Sequence, residues 1–186
     1  MSEKNILKSH ISQDFNDALC DIHNRMLIMG GAVEEQLANA LNALIHPEFN
    51  IAPKEIVRED RNVNQMELRI DEECVQILAR RQPAATDLRF VMSSLKTISE
   101  LERIGDESKR IAKMALDIHL HKIPEEYLTN IADIGAQTRE MLKDTLNALA
   151  RLEVGMLIHI AEKDESIDQQ FKGLNVRFGG EEEENS

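Results

Sequence analysis

From Phe15 the apolar positions advance by fours and threes through Leu19, Ile22, Met26, Met29 and Val33, and the stripe continues through Leu37, Leu41 and Leu44. A period near 3.6 residues over that length predicts one long amphipathic helix. His46-Pro47 stops it, and Pro53 stands where a first-turn proline opens the next helix. That second helix carries Ile56, Val63, Ile70, Cys74 and Ile77 on one face and runs to Arg81. Gln82-Pro83-Ala84-Ala85-Thr86-Asp87 then supplies a proline break and capping side chains for a third helix reaching about His121. Three helices with short connections predict an antiparallel bundle. A fourth helix follows Pro124-Glu125-Glu126, and a fifth follows Arg151-Leu152-Glu153, with Leu157, Ile160, Ile167 and Phe171 on its inner side. No stretch carries the alternation of a strand.

The pattern repeats. Leu41-Asn42-Ala43-Leu44 recurs as Leu146-Asn147-Ala148-Leu149, and after a connection one residue shorter Ile56, Asp60, Val63 and Asn64 correspond to Ile160, Asp164, Ile167 and Asp168. A register kept across a loop points to a duplicated three-helix unit. The expected organisation is a first bundle over 8–122, the first two helices of a second copy over 123–172, and an acidic tail over 173–186. That tail, with Gly179-Gly180 and Glu181 to Glu184, is expected to be disordered and solvated. The fold class is thus all-α, a tandem of three-helix bundles whose second copy lacks its last helix.

Composition agrees with helices: aromatics are 3%, with no Trp and a single Tyr. A net charge of −12 argues against nucleic acid or an anionic membrane surface as direct partner, since neutralising phosphates takes clustered Lys and Arg. Acidic chains more often meet metals or basic patches on other proteins. Cys20 and Cys74 have no CxxC or His partner and lie on apolar stripes, so both read as reduced core residues. Met1 to His10 contains no apolar signal core, and no window approaches the ~18 apolar residues that span a bilayer. A cytoplasmic location without membrane insertion is expected.

Candidate chemistry is carried by carboxylates. On helix three, Leu88, Leu95, Glu102 and Asp106 project within ~40° of one direction, so an apolar row turns acidic. On helix two, Asp60, Asn64, Glu67 and Asp71 lie within ~60° of one another, beside the Val63 and Ile70 stripe. In an antiparallel pair this edge approaches Glu102 and Asp106. Carboxylates so placed repel one another unless a cation holds them, and oxygen-only donors suit Mg²⁺, Ca²⁺, Mn²⁺ or iron better than zinc. The plainer reading is a solvated acidic edge with Arg58 and Arg103 as counter-charges.

A ferritin-type oxidase would need Glu-x-x-His steps, and the chain has none. His119 and His121 point to different helix faces, while His23 keeps open the alternative of a phosphotransfer histidine. Gly30-Gly31 lies inside helix one, where it suits close helix packing better than phosphate binding. Around the proline turn Arg80, Arg81 and Arg89 make either a solvated loop or a docking surface for an acidic partner.

Several of these stretches together resemble the PhoU family: His10-Ile11-Ser12 with Phe15, Met29-Gly30-Gly31 with Val33-Glu34, Asp60 through Asp71, Ala79-Arg80-Arg81-Gln82-Pro83, Asp87-Leu88-Arg89, and Glu100-Leu101-Glu102-Arg103-Ile104-Gly105-Asp106. The match runs from about His10 to Phe171. The resemblance implies two three-helix bundles carrying E/D-x-x-x-D signatures that bind divalent or multinuclear metal (Mg, Mn or Fe) on the bundle surface. The matching pairs here are Asp60 with Asn64, Glu102 with Asp106, and Asp164 with Asp168; Asn64 makes the first a weaker set. It further implies a cytoplasmic, non-enzymatic regulator of phosphate homeostasis. Such a protein modulates the phosphate ABC transporter and represses the phosphate-starvation regulon through contacts with the transporter's ATPase subunit and the sensor histidine kinase. A complete member would close its second bundle with a sixth helix facing Asp164 and Asp168, so this chain reads as C-terminally shortened. Apolar surface left uncovered on helix five makes a homodimer the expectation. The alternative function is a carboxylate-bridged metal-binding protein or metal-dependent enzyme built on Asp60, Glu67, Glu102 and Asp106.

Overall fold

The computed structural model describes residues 3–46, 53–81, 83, 85–118 and 125–179. Among these, the elements are five α-helices and no strand: α1 (Glu3–Ile45), α2 (Pro53–Arg81), α3 (Ala85–Ile118), α4 (Glu125–Arg151) and α5 (Met156–Gly179). α1 ends ahead of Pro47, where the His46 amide still donates to the Asn42 carbonyl at 2.9 Å. α2 begins with Pro53, whose missing N–H would be unsatisfied there in any case, and it closes on Arg80 and Arg81, which oppose the negative end of the helix dipole. α3 starts earlier than the capping pattern predicts. Ala85 opens it with φ 44°, so Thr86 and Asp87 lie inside the helix, and Asp87 complements the positive end of the dipole within the first turn. Of the tail expected to be disordered over 173–186, residues 173–179 instead continue α5, while residues 180–186, like residues 119–124, lie outside the described residues.

α4 ends in a Schellman motif. The Glu153 amide donates to the Ala148 carbonyl at 3.0 Å and the Leu152 amide to the Leu149 carbonyl at 3.3 Å. The left-handed position that such a cap needs is filled by Leu152, at φ 55°. Leucine is an uncommon occupant, because its Cβ crowds the following carbonyl in this conformation. Leu152 is 69% exposed and contributes little packing. Leu152→Gly is therefore expected to stabilise the chain by about 0.5–1 kcal/mol, the relief of the left-handed strain outweighing the extra entropy of glycine in the unfolded chain. A raised midpoint in thermal denaturation checks it.

Packing divides the chain into two compact units. The first comprises 1–33 and 57–107. Its core is built from Ile22, Met26, Met29 and Val33 of α1, Val63, Ile70, Cys74 and Ile77 of α2, and Val91, Ile98 and Leu101 of α3. The stripes read on α1 and α2 are therefore the buried ones. Cys74 is buried as expected, whereas Cys20 is exposed: it is one position ahead of the half-buried Leu19 and has rotated out of the stripe.

The second unit comprises 34–56 and 108–186. Ala40 packs with Ala112, and Ala43 and Leu44 pack with Ala115, with Ile111 and Ile118 closing around them. Small side chains on both helices draw the backbones together. Gly135 of α4 does the same, since a Cβ built there would stand 2.6 Å from Leu41 Cδ2. Gly31, by contrast, has open space around it, so only the buried Gly30 fits the close-packing role expected of the pair. Polar groups join α4 and α5. Lys163 Nζ reaches Asp144 Oδ2 at 2.6 Å and Glu140 Oε1 at 3.4 Å, and the amides of Gln137 and Gln170 exchange hydrogen bonds at 2.8 and 3.1 Å. The hydrogen bond from Lys163 lowers the pKa of Asp144 and raises that of Lys163. Along the row expected to face inward on α5, Ile160 and Ile167 are half-buried but Leu157 and Phe171 are exposed.

Candidate functional site

The first unit holds most of the residues singled out in the sequence. α2 is polarised about its buried stripe. Roughly 80° to one side run Asp60, Asn64, Glu67 and Asp71, and roughly 100° to the other run Arg69, Glu73, Gln76 and Arg80. The first three of the acidic row are half-buried and Asp71 is exposed. Glu67 has its pKa raised, first by its partial burial and then by the charge of Asp71 one turn on.

On α3, the buried row is Val91, Ser94, Ile98, Leu101, Gly105, Ser108, Ala112 and Ala115. It is not the row of Leu88, Leu95, Glu102 and Asp106 that the leucines suggest. Leu88 is exposed, while Leu95, Glu102 and Asp106 are half-buried at the core's margin. The two carboxylates therefore flank the packing face and do not interrupt it. Ser94 is tolerated inside because its hydroxyl donates to the Phe90 carbonyl at 2.9 Å.

Among the described residues, no three His, Cys, Asp or Glu side chains converge closely enough to hold an ion. A magnesium-type ion that keeps most of its waters needs only one or two carboxylates, and the half-buried pair Glu102 and Asp106, one turn apart, supplies that chemistry. Asp164 and Asp168 are exposed on α5, in the second unit. Arg103 is turned to Glu100, at 3.5 Å along its own helix.

The opposite edge of α2 faces α1 across a cleft of about 250 Å³. Arg80 and Arg81 line it, as do Arg25 and Asp21 of α1, and Arg25 Nε meets Glu73 Oε2 at 3.1 Å across it. Arg89 is exposed on α3 and does not line this cleft. Arg25 went unnoticed in the sequence; the signal was its place in the row Ala18, Asp21, Arg25, Ile28, beside the buried row of α1. His23, the alternative phosphoacceptor, packs its ring 6.4 Å from that of Phe90, with Nδ1 buried and without a hydrogen-bond partner among the described residues.

The PhoU domain model matches residues 26–115. A Pseudomonas aeruginosa protein, a phosphate-specific transport system accessory protein PhoU homolog, is 43% identical over 174 residues, covering 92% of this chain and 71% of the relative. The chain belongs to the PhoU family. The Escherichia coli K12 phosphate-specific transport system accessory protein PhoU is 41% identical over 168 residues, 90% of this chain and 69% of the relative. The fold agrees: the crystal structure of PhoU from Pseudomonas aeruginosa superposes with a TM-score of 0.79 at 39% identity, over 86% of this chain and 76% of that one. The phosphate transport system regulatory protein PhoU from Streptococcus pneumoniae gives 0.78 at 33% identity, over 89% and 77%. The PhoU domain span includes both acidic rows and the arginines of α2. Among the described residues, no helix is long and apolar enough to cross a membrane.

Proposed function

We propose that this chain is a cytoplasmic, non-enzymatic adaptor that modulates phosphate ABC transport and keeps the phosphate-starvation regulon silent, by docking on the transporter's ATPase subunit and on the sensor histidine kinase. The observation that carries the reading is the 43% identity, over 92% of the chain, to a phosphate-specific transport system accessory protein. The charge pattern supports it. An acidic row and an arginine-bearing row on opposite edges of one helix suit a protein that meets partners on more than one side, and regulation then follows from differential binding to partner states. Arg80, Arg81 and Arg89 belong to the docking surface in this proposal. The pairs Asp60 with Asn64, Glu102 with Asp106 and Asp164 with Asp168, with Glu67 and Asp71 beside the first, are the places for a hydrated divalent cation. The apolar row of α5, exposed at Leu157 and Phe171, is the surface for a homodimer.

The test is binding of the purified chain to the cytoplasmic part of the cognate sensor kinase by calorimetry, with and without Mg²⁺ or Mn²⁺, beside a Glu102→Ala, Asp106→Ala variant. Binding that strengthens with metal in the parent chain and loses its metal dependence in the variant is expected. No binding under any condition would overturn the adaptor reading, and binding indifferent to metal in both proteins would remove the cation from it.

A further inference from the structure

Two rows face each other across the α1–α2 groove of the first unit. On α1 they are Ala18, Asp21, Arg25 and Ile28, at steps of three and four; on α2 they are Arg69, Glu73, Gln76 and Arg80, at steps of four and three. The groove holds two clefts that meet at Arg25. The larger, of about 250 Å³, is rimmed by Arg80 and Arg81. The smaller, of about 160 Å³, is walled by Ile28, Met66 and Ile70 with Arg69 at its edge. Together they run alongside Ala18 to Ile28, which is ~15 Å of helix.

Charge and polarity differ sharply from the rest of the molecule. Four arginines line the two clefts against two carboxylates, Asp21 and Glu73, in a chain of net charge −12. Glu73 is already engaged by Arg25. Among the described residues Arg69, Arg80 and Arg81 form no ion pair, although acidic side chains outnumber basic ones in the chain. Arg80 and Arg81 also serve the dipole at the end of α2, but Arg69 lies three turns inside the helix and Arg25 lies on another, so helix capping does not account for the set. Beside the arginines Ile28 stays 63% exposed over the smaller cleft, which is otherwise apolar.

We infer that this groove docks an acidic segment of a partner protein, whose carboxylates meet Arg69, Arg80 and Arg81 and whose one aliphatic side chain enters the cleft between Ile28 and Met66. Guanidinium forks bind carboxylates in two-point geometry, and the aliphatic stems of Arg25 and Arg69 extend the apolar floor. The inference rests on the adaptor reading for the partner's biological role, and it joins Arg80 and Arg81 to Arg25 and Arg69 in one bounded groove.

The experiment follows the fluorescence anisotropy of a labelled peptide of repeated Glu-Asp-Leu-Glu units, beside a counterpart with Gln and Asn in place of the acids and another with Ser in place of Leu. The full chain should bind the acidic peptide at least about tenfold more tightly than the amide counterpart, with a smaller loss for the Ser peptide. Arg69→Glu with Arg80→Glu should lower affinity at least about tenfold, and Arg69→Gln with Arg80→Gln by less, while Lys96→Glu, at an exposed α3 position that lines neither cleft, stays within about twofold. Equal binding of acidic and amide peptides, an equal loss in the Lys96→Glu chain, or displacement of the peptide by inorganic phosphate at millimolar concentration would overturn the inference. Kinase-fragment binding is read on the same preparations. If it persists unchanged in the Arg69→Glu, Arg80→Glu chain the groove inference fails alone; if the parent chain does not bind the kinase but shows the peptide effects, the adaptor reading fails alone.

Discussion

Ile98→Ala is expected to destabilise the first unit by about 2–5 kcal/mol, whereas Met92→Ala, on the exposed face of the same helix, should change stability by less than about 0.5 kcal/mol. Ile98 is 1% exposed and occupies the middle of the α3 row between Val91 and Leu101. Its removal forfeits both the transfer of its methyl groups out of water and the contacts of its neighbours, and a helix held on either side by the buried Val91 and Leu101 collapses poorly onto a void. Met92 is 48% exposed, one position past Val91 and rotated out of that row. The comparison also discriminates between the two faces of α3. If the Leu88, Leu95, Glu102 and Asp106 direction were the packing face, Leu88→Ala would cost as much as Ile98→Ala. With Leu88 exposed, urea denaturation should show it close to Met92→Ala instead.

That contrast explains what could be seen in the sequence. α1 and α2 announce their buried faces because these are runs of large side chains: Ile22, Met26, Met29 and Val33, and Val63, Ile70, Cys74 and Ile77. On α3 the buried row is Val91, Ser94, Ile98 and Leu101, followed by Gly105, Ser108, Ala112 and Ala115. Small and hydroxyl residues carry little hydropathy, so the larger leucines of a neighbouring row stand out more. Small residues are nevertheless what close helix approach requires, as Ala40 against Ala112 shows. The α5 row misleads for a related reason. Leu157 and Phe171 are placed by period alone, but α4 and α5 also meet through Lys163, Asp144 and the two glutamines, none of which a hydrophobic pattern reports. Helix boundaries were more legible, because Pro47 and Pro53 act locally. Of the arginine groove only Arg80 and Arg81 were visible; Arg25 and Arg69 gain meaning once two helices bring them to the same cleft.

Raising the pH from 8 to 11 should remove roughly 2–3 kcal/mol of stability through Cys74 alone. The thiol is fully buried on α2, and burial first, then the carboxylates of Asp71 and Glu73, push its pKa up from 9.0 to about 11. The folded chain thus holds this proton more tightly than the unfolded chain does. Below pH 9 both states are protonated and the contribution is fully present. Between pH 9 and 11 the unfolded thiol ionises while the folded one does not, so the unfolded state is favoured progressively and the contribution is lost. The measurement is the stability gap between the parent chain and Cys74→Ala, in reductant, at each pH, a difference in which the response of the other groups to alkali cancels. Near pH 8 the parent should be the more stable, because alanine leaves the sulfur's volume empty. By pH 11 that gap should shrink or reverse, since alanine has no proton to lose. A gap independent of pH would mean that the thiol titrates alike in both states and that the α2 stripe is open to water at Cys74. The exposed Cys20 gives an internal control: a thiol reagent at pH 8 should modify it in the native chain and reach Cys74 only on unfolding.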